Sequence, residues 1–194
     1  RWLEKFIKAV IKSKTVTFGH FEDYVKSVKP SGIAYLPITS YFEMGEWSLF
    51  EPRVREMGAF LEKLEDMELS EEAEVFVKGG IWKNFFTKYP ESNRLHKRAV
   101  HLSAKASKLN DEQLNDALYK AQCNDVLWHG IFGGLYLPNL RNNTCRFLIE
   151  GQKRVDHLEK PAFPHIETAD TDFDGYDEAI VNTEDSTYMF LSHD

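Results

Sequence analysis

Apolar residues recur every three or four positions over much of the chain, a spacing that places them on one face of an α-helix. The clearest stripe contains Leu95, Ala99, Leu102, Ala106 and Leu109. The spacing predicts helices over residues 1–13, 21–28, about 49–67, 95–109, 111–121 and about 136–158. Because short loops favour antiparallel neighbours, the helices between residues 49 and 160 predict a bundle of about three to four helices.

Short apolar runs near both ends predict strands instead. Residues 15–17 and 33–36 have this character, and they alternate with the first two helices as in the last α/β elements of a larger fold. Residues 179–181 and 188–191 are predicted strands around turn residues 182–186, whereas residues 75–77 fit either a strand or a helix end. Since two strands do not form a stable sheet alone, we expect a chain truncated at both ends that stops just inside a β domain.

Charge is distributed unevenly along the 194 residues, whose net charge is −7. No Lys or Arg follows Lys160, while residues 161–194 carry nine carboxylates, so residues 1–160 have a net charge of +2. A nearly neutral body with an acidic end argues against nucleic acid as the main partner.

The composition indicates a globular chain, with 42% hydrophobic and 28% charged residues. No apolar run approaches the roughly 20 residues of a membrane helix, and no signal peptide is evident. Cys123 and Cys145 are the two cysteines, too few for a disulfide scaffold or a four-cysteine zinc site, so we expect a reducing, cytoplasmic location.

Residues 121–134 bring together the densest set of chemically useful side chains. On a helix, Asp125, Trp128 and His129 would share one face. A carboxylate accepts hydrogen bonds from sugar hydroxyls, an indole stacks on a sugar ring, and an imidazole donates or accepts. The alternative is a helix end with a buried tryptophan and a capping aspartate.

A second candidate, residues 40–47, follows a predicted strand and contains Glu43 and Trp47. Loops after barrel strands commonly carry the sites of α/β enzymes, and acids with aromatics suit a sugar pocket. A solvated loop with a packing tryptophan is the competing interpretation.

Three weaker patterns favour structural interpretations. Gly79 and Gly80 precede a helix but lack the spacing of a phosphate-binding loop, so packing is the better interpretation. Residues 170–178 begin like a calcium loop, yet Val181 stands where the loop needs a glutamate, which favours a turn leading into the next domain. Cys123 and His129 show no recognisable third residue of a thiol nucleophile.

Three blocks in this order resemble glycoside hydrolase family 57, most closely its 4-α-glucanotransferase and α-amylase branch. They are YLP, SYFEM and EW within residues 35–47, GGIWKNFF, KYPESN and HKR within residues 79–98, and AQCND, WHG, FGGLYLP and LR within residues 121–141. Residues 172–176 also look like the start of the family's C-terminal β-sandwich.

The resemblance implies a mainly α chain. It assigns residues 1–48 to the end of an incomplete (β/α) barrel, 49–160 to a helical bundle, and 161–194 to the start of a β-sandwich. It also implies retaining chemistry on α-1,4-glucans. In this chemistry a Glu is the nucleophile and an Asp is the general acid, and their carboxyl groups lie about 5 Å apart. Both are expected N-terminal to Arg1, so this chain would supply no catalytic residue, cofactor or metal ligand.

The resemblance also suggests binding residues for a maltooligosaccharide substrate. Asp125 and Trp128 match substrate-binding positions of the family, Trp47 and Glu43 are second candidates, and His129 is either a ligand-binding or a structural histidine. The expected activity is 4-α-glucanotransferase. The alternatives are a hydrolytic α-amylase or, from another class, a non-catalytic helical interaction module.

Overall fold

The computed structural model describes residues 1–38 and 40–191. Thr39 and residues 192–194, which fall in the predicted first and last domains, lie outside the described residues. The chain divides into two compact units, Arg1–Ile38 and Thr39–Asp194. The predicted boundaries at residues 48 and 160 stay predictions.

The first unit contains α1 (Trp2–Lys12) and α2 (Phe21–Ser27), as the periodicity predicts. The predicted strands at residues 15–17 and 33–36 are wrong, because both segments lack regular secondary structure. A strand forms only when a neighbouring strand supplies backbone hydrogen bonds, and the described residues of this unit include none. The composition that suits a strand therefore occurs here in exposed chain without regular secondary structure.

The second unit is mostly helical and ends in a small sheet, which confirms the mainly α class. Its helices are α3 (Phe42–Trp47), α4 (Glu51–Asp66), α5 (Ser70–Phe76), α6 (Trp82–Lys88), α7 (Pro90–Leu109), α8 (Glu112–Ala121) and α9 (Pro138–Glu159). The ambiguous residues 75–77 include the end of α5, so the helix-end interpretation is correct.

Helices α7, α8 and α9 pack into a bundle around one apolar core. Its buried side chains include Leu95, Ala99, Leu102 and Ala106 of α7, Leu114 and Leu118 of α8, and Leu148 and Val155 of α9. Gly151 allows α9 to approach α7 closely, because a Cβ atom there would lie 2.5 Å from Leu102 Cδ2. The predicted stripe on α7 is thus the centre of the bundle.

Asp111 fixes the start of α8 and ties it to α9. Its Oδ1 accepts the Leu114 N–H at 2.9 Å, as an N-cap does. Arg154 of α9 donates to both carboxylate oxygens at 2.9 and 2.7 Å. These contacts hold the pKa of Asp111 at about 2, below its ordinary value of 3.8.

The sheet consists of β1 (His165–Ala169), β2 (Glu178–Asn182) and β3 (Thr187–Phe190), antiparallel in chain order. The second and third strands were predicted, while β1 was missed because its polar residues and the two prolines before it give a weak strand signal. Glu167 of β1 accepts a hydrogen bond from Lys105 of α7 at 2.7 Å, which joins the sheet to the bundle.

Candidate functional site

Two tryptophans from distant parts of the sequence stack at the centre of the candidate site. Trp47 ends α3, and Trp128 follows a 3-10 turn formed by Asn124–Val126. Their ring centroids lie 5.2 Å apart with planes 9° from parallel, and both side chains are half-buried. The ring centroid of Phe132 lies 5.7 Å from that of Trp128. The two indoles therefore form an aromatic platform built by two separate segments.

Close backbone packing positions α3 beneath this platform. The Gly80 N–H donates to the Gly45 carbonyl at 2.9 Å, and the Ser48 hydroxyl donates to the same oxygen at 2.9 Å. Lys88 of α6 donates to the Trp47 carbonyl at 2.9 Å, and burial lowers the pKa of Lys88. The glycine pair thus has the packing role that its sequence favoured.

The first amide groups of α6 are already occupied within the protein. The Ile81 N–H donates to Asn84 Oδ1 at 3.0 Å, and the Trp82 N–H donates to Ser40 Oγ at 3.1 Å. A helix N-terminus binds an anion through such amide groups only when they are available to it. This end of α6 therefore serves to hold neighbouring segments together.

The loop that carries Trp128 is folded by its own hydrogen bonds. The Ser92 hydroxyl of α7 donates to the Leu127 carbonyl, and the Leu135 N–H donates to the Trp128 carbonyl at 3.1 Å. Gly134 has φ = +50°, a left-handed conformation that glycine adopts without strain. A Cβ atom at Gly130 would lie 2.7 Å from the Trp47 ring, so this glycine lets the loop lie against the indole.

The prediction that Asp125, Trp128 and His129 share one helical face is wrong. Only the short 3-10 turn at Asn124–Val126 is helical, and residues 127–133 contain no helix. Glycines at positions 130, 133 and 134 disfavour a helix, and the chain turns back on itself instead. The three residues remain close in sequence, on one compact loop.

His129 is held in an aromatic cluster. Its Nδ1 lies 3.0 Å from the Gly133 carbonyl, which requires Nδ1 to carry the proton. The centroid of the imidazole ring lies 4.7 Å from that of Tyr136 and 5.9 Å from that of Tyr89, and both pairs are nearly edge to face. Burial raises the pKa of Tyr89. These contacts fit the structural alternative for His129, while its binding role stays a prediction.

Asp125 lies exposed on the 3-10 turn, three residues before Trp128. Its Oδ2 accepts a hydrogen bond from the Cys123 thiol at 2.9 Å. The turn has Cys123, and not Asp125, at its N-cap position. An exposed carboxylate is open to hydroxyl groups of a bound molecule.

Glu43 lies one helical turn before Trp47 on α3 and is exposed. It lines an open groove between α3, α4 and α5, together with Phe42, Leu61 and the carboxylates of Glu62, Glu65 and Glu74. Its role as a substrate ligand therefore stays a prediction separate from the tryptophan platform.

Sequence reasoning missed Tyr89, Tyr136 and Phe132 as parts of the aromatic cluster. The available signal for Phe132 and Tyr136 was their place beside the glycines that follow His129, whereas Tyr89 lies far from every candidate residue in sequence. It also missed the hydrogen bond between Cys123 and Asp125. Helical spacing does not predict this contact, because side chains that are neighbours on a helix surface are three or four positions apart.

The acidic segment after β1 forms the loop between β1 and β2. One carboxylate oxygen from each of Asp170, Asp172 and Asp174 lies within 4.8 Å of the others. Asp170 accepts the N–H groups of Asp174 and Gly175 at 3.1 Å each, so Asp170 also closes the turn.

Among the described helices, none is both long and apolar enough to span a bilayer.

Comparison with known proteins finds a family model that matches part of the chain. Residues 80–155 match the family model described as the middle domain of alpha-amylase/4-alpha-glucanotransferase. The matched segment contains α6 through most of α9, together with the loop that carries Asp125 and Trp128.

Curated relatives match almost the whole chain. The 4-alpha-glucanotransferase of Thermococcus litoralis is 42% identical over 183 residues, which are 94% of this chain and 26% of that protein. The alpha-amylase of Pyrococcus abyssi is 40% identical over 192 residues, 99% of this chain and 28% of that protein. The chain therefore spans about a quarter of the length of these relatives.

A solved structure shows the same fold. The crystal structure of 4-alpha-glucanotransferase from Thermococcus litoralis superposes with a TM-score of 0.65 at 39% identity, covering 94% of this chain and 27% of that one. The sequence blocks, the helical bundle and these relatives agree. The chain is similar over almost its whole length to 4-alpha-glucanotransferases and alpha-amylases, and its residues 80–155 match the middle domain of alpha-amylase/4-alpha-glucanotransferase.

Proposed function

We propose that this chain forms a substrate-binding wall of an enzyme that transfers segments of α-1,4-glucans, a 4-α-glucanotransferase. Asp125 and Trp128 are the principal ligands, Trp47 supports Trp128, and Glu43 and His129 are secondary. The nucleophile and the acid belong to segments outside residues 1–194.

The observation that carries the proposal is the exposed Asp125 carboxylate on the turn that precedes the Trp47–Trp128 platform. Glucose units present hydroxyl groups at their edges and C–H groups on their faces. A carboxylate accepts hydrogen bonds from the hydroxyl groups, and an indole packs against the C–H face. The arrangement therefore offers both kinds of contact that a pyranose ring uses.

The names of the relatives support a glucan substrate, and they are compatible with two reactions, transfer and hydrolysis. The relatives include proteins named 4-alpha-glucanotransferase and proteins named alpha-amylase, at similar identity. Transfer is our first proposal and hydrolysis the second. They differ in whether a sugar hydroxyl or water accepts the glycosyl group.

We also propose a reducing, cytoplasmic location. Two free cysteines support it, the exposed Cys123 and the half-buried Cys145. An exposed thiol persists most readily where the surroundings keep thiols reduced.

Nuclear magnetic resonance with maltoheptaose tests the binding wall directly. The chain contains four tryptophans, and we expect the indole N–H signals of Trp47 and Trp128 to shift saturably while that of Trp2 stays in place. Cellohexaose, whose linkages are β-1,4, is the control and should shift neither. Equal shifts with both sugars, or none with maltoheptaose, would favour the non-catalytic interaction module instead.

The reaction type needs the catalytic residues as well. We suggest a chimera in which residues 1–194 replace the matching segment of the Thermococcus litoralis enzyme. Chromatography of products from maltoheptaose should then show glucans longer than the substrate. Because the catalytic residues would come from a glucanotransferase, products that are all shorter than maltoheptaose would show that residues 1–194 do not support transfer.

A further inference from the structure

The thiol of Cys123 is the hydrogen-bond partner of the proposed ligand Asp125. Its Sγ donates to Asp125 Oδ2 at 2.9 Å, across two positions of the chain. Both side chains are exposed. Asp125 lies on the 3-10 turn, and Cys123 is the N-cap residue of that turn. The contact is therefore available to solvent and to a bound ligand.

The backbone of this turn is held firmly, so the pair has a fixed base. The Leu127 N–H donates to the Asn124 carbonyl at 2.8 Å, and the Leu127 carbonyl accepts the Ser92 hydroxyl of α7. Ser92 and Val126 are buried in the bundle. What remains adjustable is the rotation of the Asp125 side chain, and the thiol restrains that rotation.

The Cys123 thiol must be protonated to donate a hydrogen bond to Asp125, and its surroundings favour the protonated form. The hydrogen bond to Asp125 raises the pKa of Cys123 above its ordinary value, because the carboxylate disfavours a neighbouring thiolate. Cys145 differs, because its pKa is raised chiefly by burial and it lies on α9. The second cysteine therefore serves as an internal control.

We propose that Cys123 is a positioning residue of the glucan site, which fixes one carboxylate oxygen of Asp125 and leaves the other for a sugar hydroxyl. This inference rests on the proposed function of Asp125. Orienting a ligand group before binding removes the cost of ordering it, so the thiol should strengthen binding without touching the sugar. A molecule bound at Asp125 should also shield the thiol from reagents.

Binding by substituted chains tests the inference. Cys123→Ala removes the donor and should raise the Kd for maltoheptaose about three- to tenfold, the size expected for one side chain left unordered. Cys123→Ser keeps a donor and should stay within about twofold of the unsubstituted chain. Cys145→Ser is the matched control and should leave the Kd unchanged, with melting temperatures recorded for every variant.

The outcomes separate this inference from the proposed function. If Asp125→Asn abolishes binding while Cys123→Ala leaves the Kd unchanged, the positioning role is wrong and the proposed function stands. If the unsubstituted chain does not bind, or Asp125→Asn binds equally well, the proposed function is wrong and the positioning role with it.

Alkylation by iodoacetamide gives a readout that a merely structural role would not change. In a Cys145→Ser background, saturating maltoheptaose should slow the modification of Cys123, and cellohexaose should not. Asp125→Asn should speed modification in the absence of sugar, because the thiol loses the partner that keeps it protonated. Equal rates with and without maltoheptaose, or with Asp and Asn at position 125, would overturn the inference.

Discussion

At the scale of single residues, the stack of Trp47 on Trp128 connects the shape of the site to its stability. The pair joins the end of α3 to the loop before α9, and neither segment is close to the other in sequence. Aromatic pairs of this geometry contribute about 0.5–1.5 kcal/mol beyond the area that they bury. The stack therefore joins two segments, and we propose that it is also a surface for a ligand.

Substitution of Trp128 should separate these two roles. Trp128→Phe keeps a ring on Trp47 and should change the free energy of unfolding by less than about 1.5 kcal/mol, whereas Trp128→Ala should cost about 2–4 kcal/mol. Chemical denaturation followed by circular dichroism measures both. Trp2→Ala is the control, because Trp2 is 75% exposed and should cost little. Equal stability of the Phe and Ala variants would mean that the stack contributes no packing.

At the scale of elements, the helices of the bundle followed from the sequence because each carries a long apolar stripe. The spacing from Leu95 to Ala106 leaves one face for the core, and that face is buried. A strand depends on a partner strand elsewhere in the chain. Residues 15–17 and 33–36 have a composition that suits a strand but pair with none that the structure describes. β1 pairs with β2 although its sequence predicts a strand only weakly. The meeting of Trp47 with Trp128 was equally invisible, since it depends on packing between α3 and a loop.

The central position of Leu102 gives a direct test of the bundle core. Leu102 is 3% exposed, so Leu102→Asp would bury an unpaired charge and should cost about 3–5 kcal/mol. Val100→Asp on the same helix is the matched control, because Val100 is 40% exposed and its carboxylate would reach water. Thermal melts that fall equally for the two variants would contradict the assignment of the core face.

The contact between Asp111 and Arg154 should make stability depend on pH. Because the pKa of Asp111 is about 2 when folded and 3.8 ordinarily, its contribution is complete above about pH 4 and is lost as the pH falls toward 2. In Asp111→Asn, Tm should be lower at pH 6 and should fall less steeply between pH 4 and pH 2. Asp116→Asn, an exposed position on the same helix, should keep the slope of the unsubstituted chain. An unchanged slope in Asp111→Asn would contradict the proposed linkage.

At the scale of the whole molecule, the uneven charge of the sequence has a counterpart within the second unit. Among the acidic residues after position 160, Glu167 contacts α7, where Lys105 Nζ lies 2.7 Å from its carboxylate. His101 Nε2 lies 3.0 Å from the same carboxylate, and burial lowers the pKa of His101. Lys97 of the same helix lies 4.8 Å from the ring of Phe173. Lys105 thus partly neutralises the acidic end at Glu167, and the expectation that nucleic acid is not the main partner stays a prediction.

The division of roles within the proposed enzyme predicts that this chain alone is inactive. Retaining hydrolysis or transfer needs two carboxyl groups about 5–5.5 Å apart around one sugar bond, and we expect both outside residues 1–194. Incubation of the purified chain with maltoheptaose should therefore leave the substrate unchanged by chromatography. Shorter or longer glucans formed by pure protein would show that the chain carries its own catalytic pair.

The most direct test of the glucan-binding wall compares Asp125→Asn with the unsubstituted chimera built on the Thermococcus litoralis enzyme. Asparagine keeps the shape and removes the charge, so losing one charge-assisted hydrogen bond of about 1.5–3 kcal/mol should lower kcat/KM on maltooligosaccharides roughly 10- to 150-fold. Tm should stay within about two degrees, because Asp125 is exposed. A kcat/KM within twofold of the unsubstituted chimera at equal Tm would contradict the account and leave Asp125 as a surface residue of the turn.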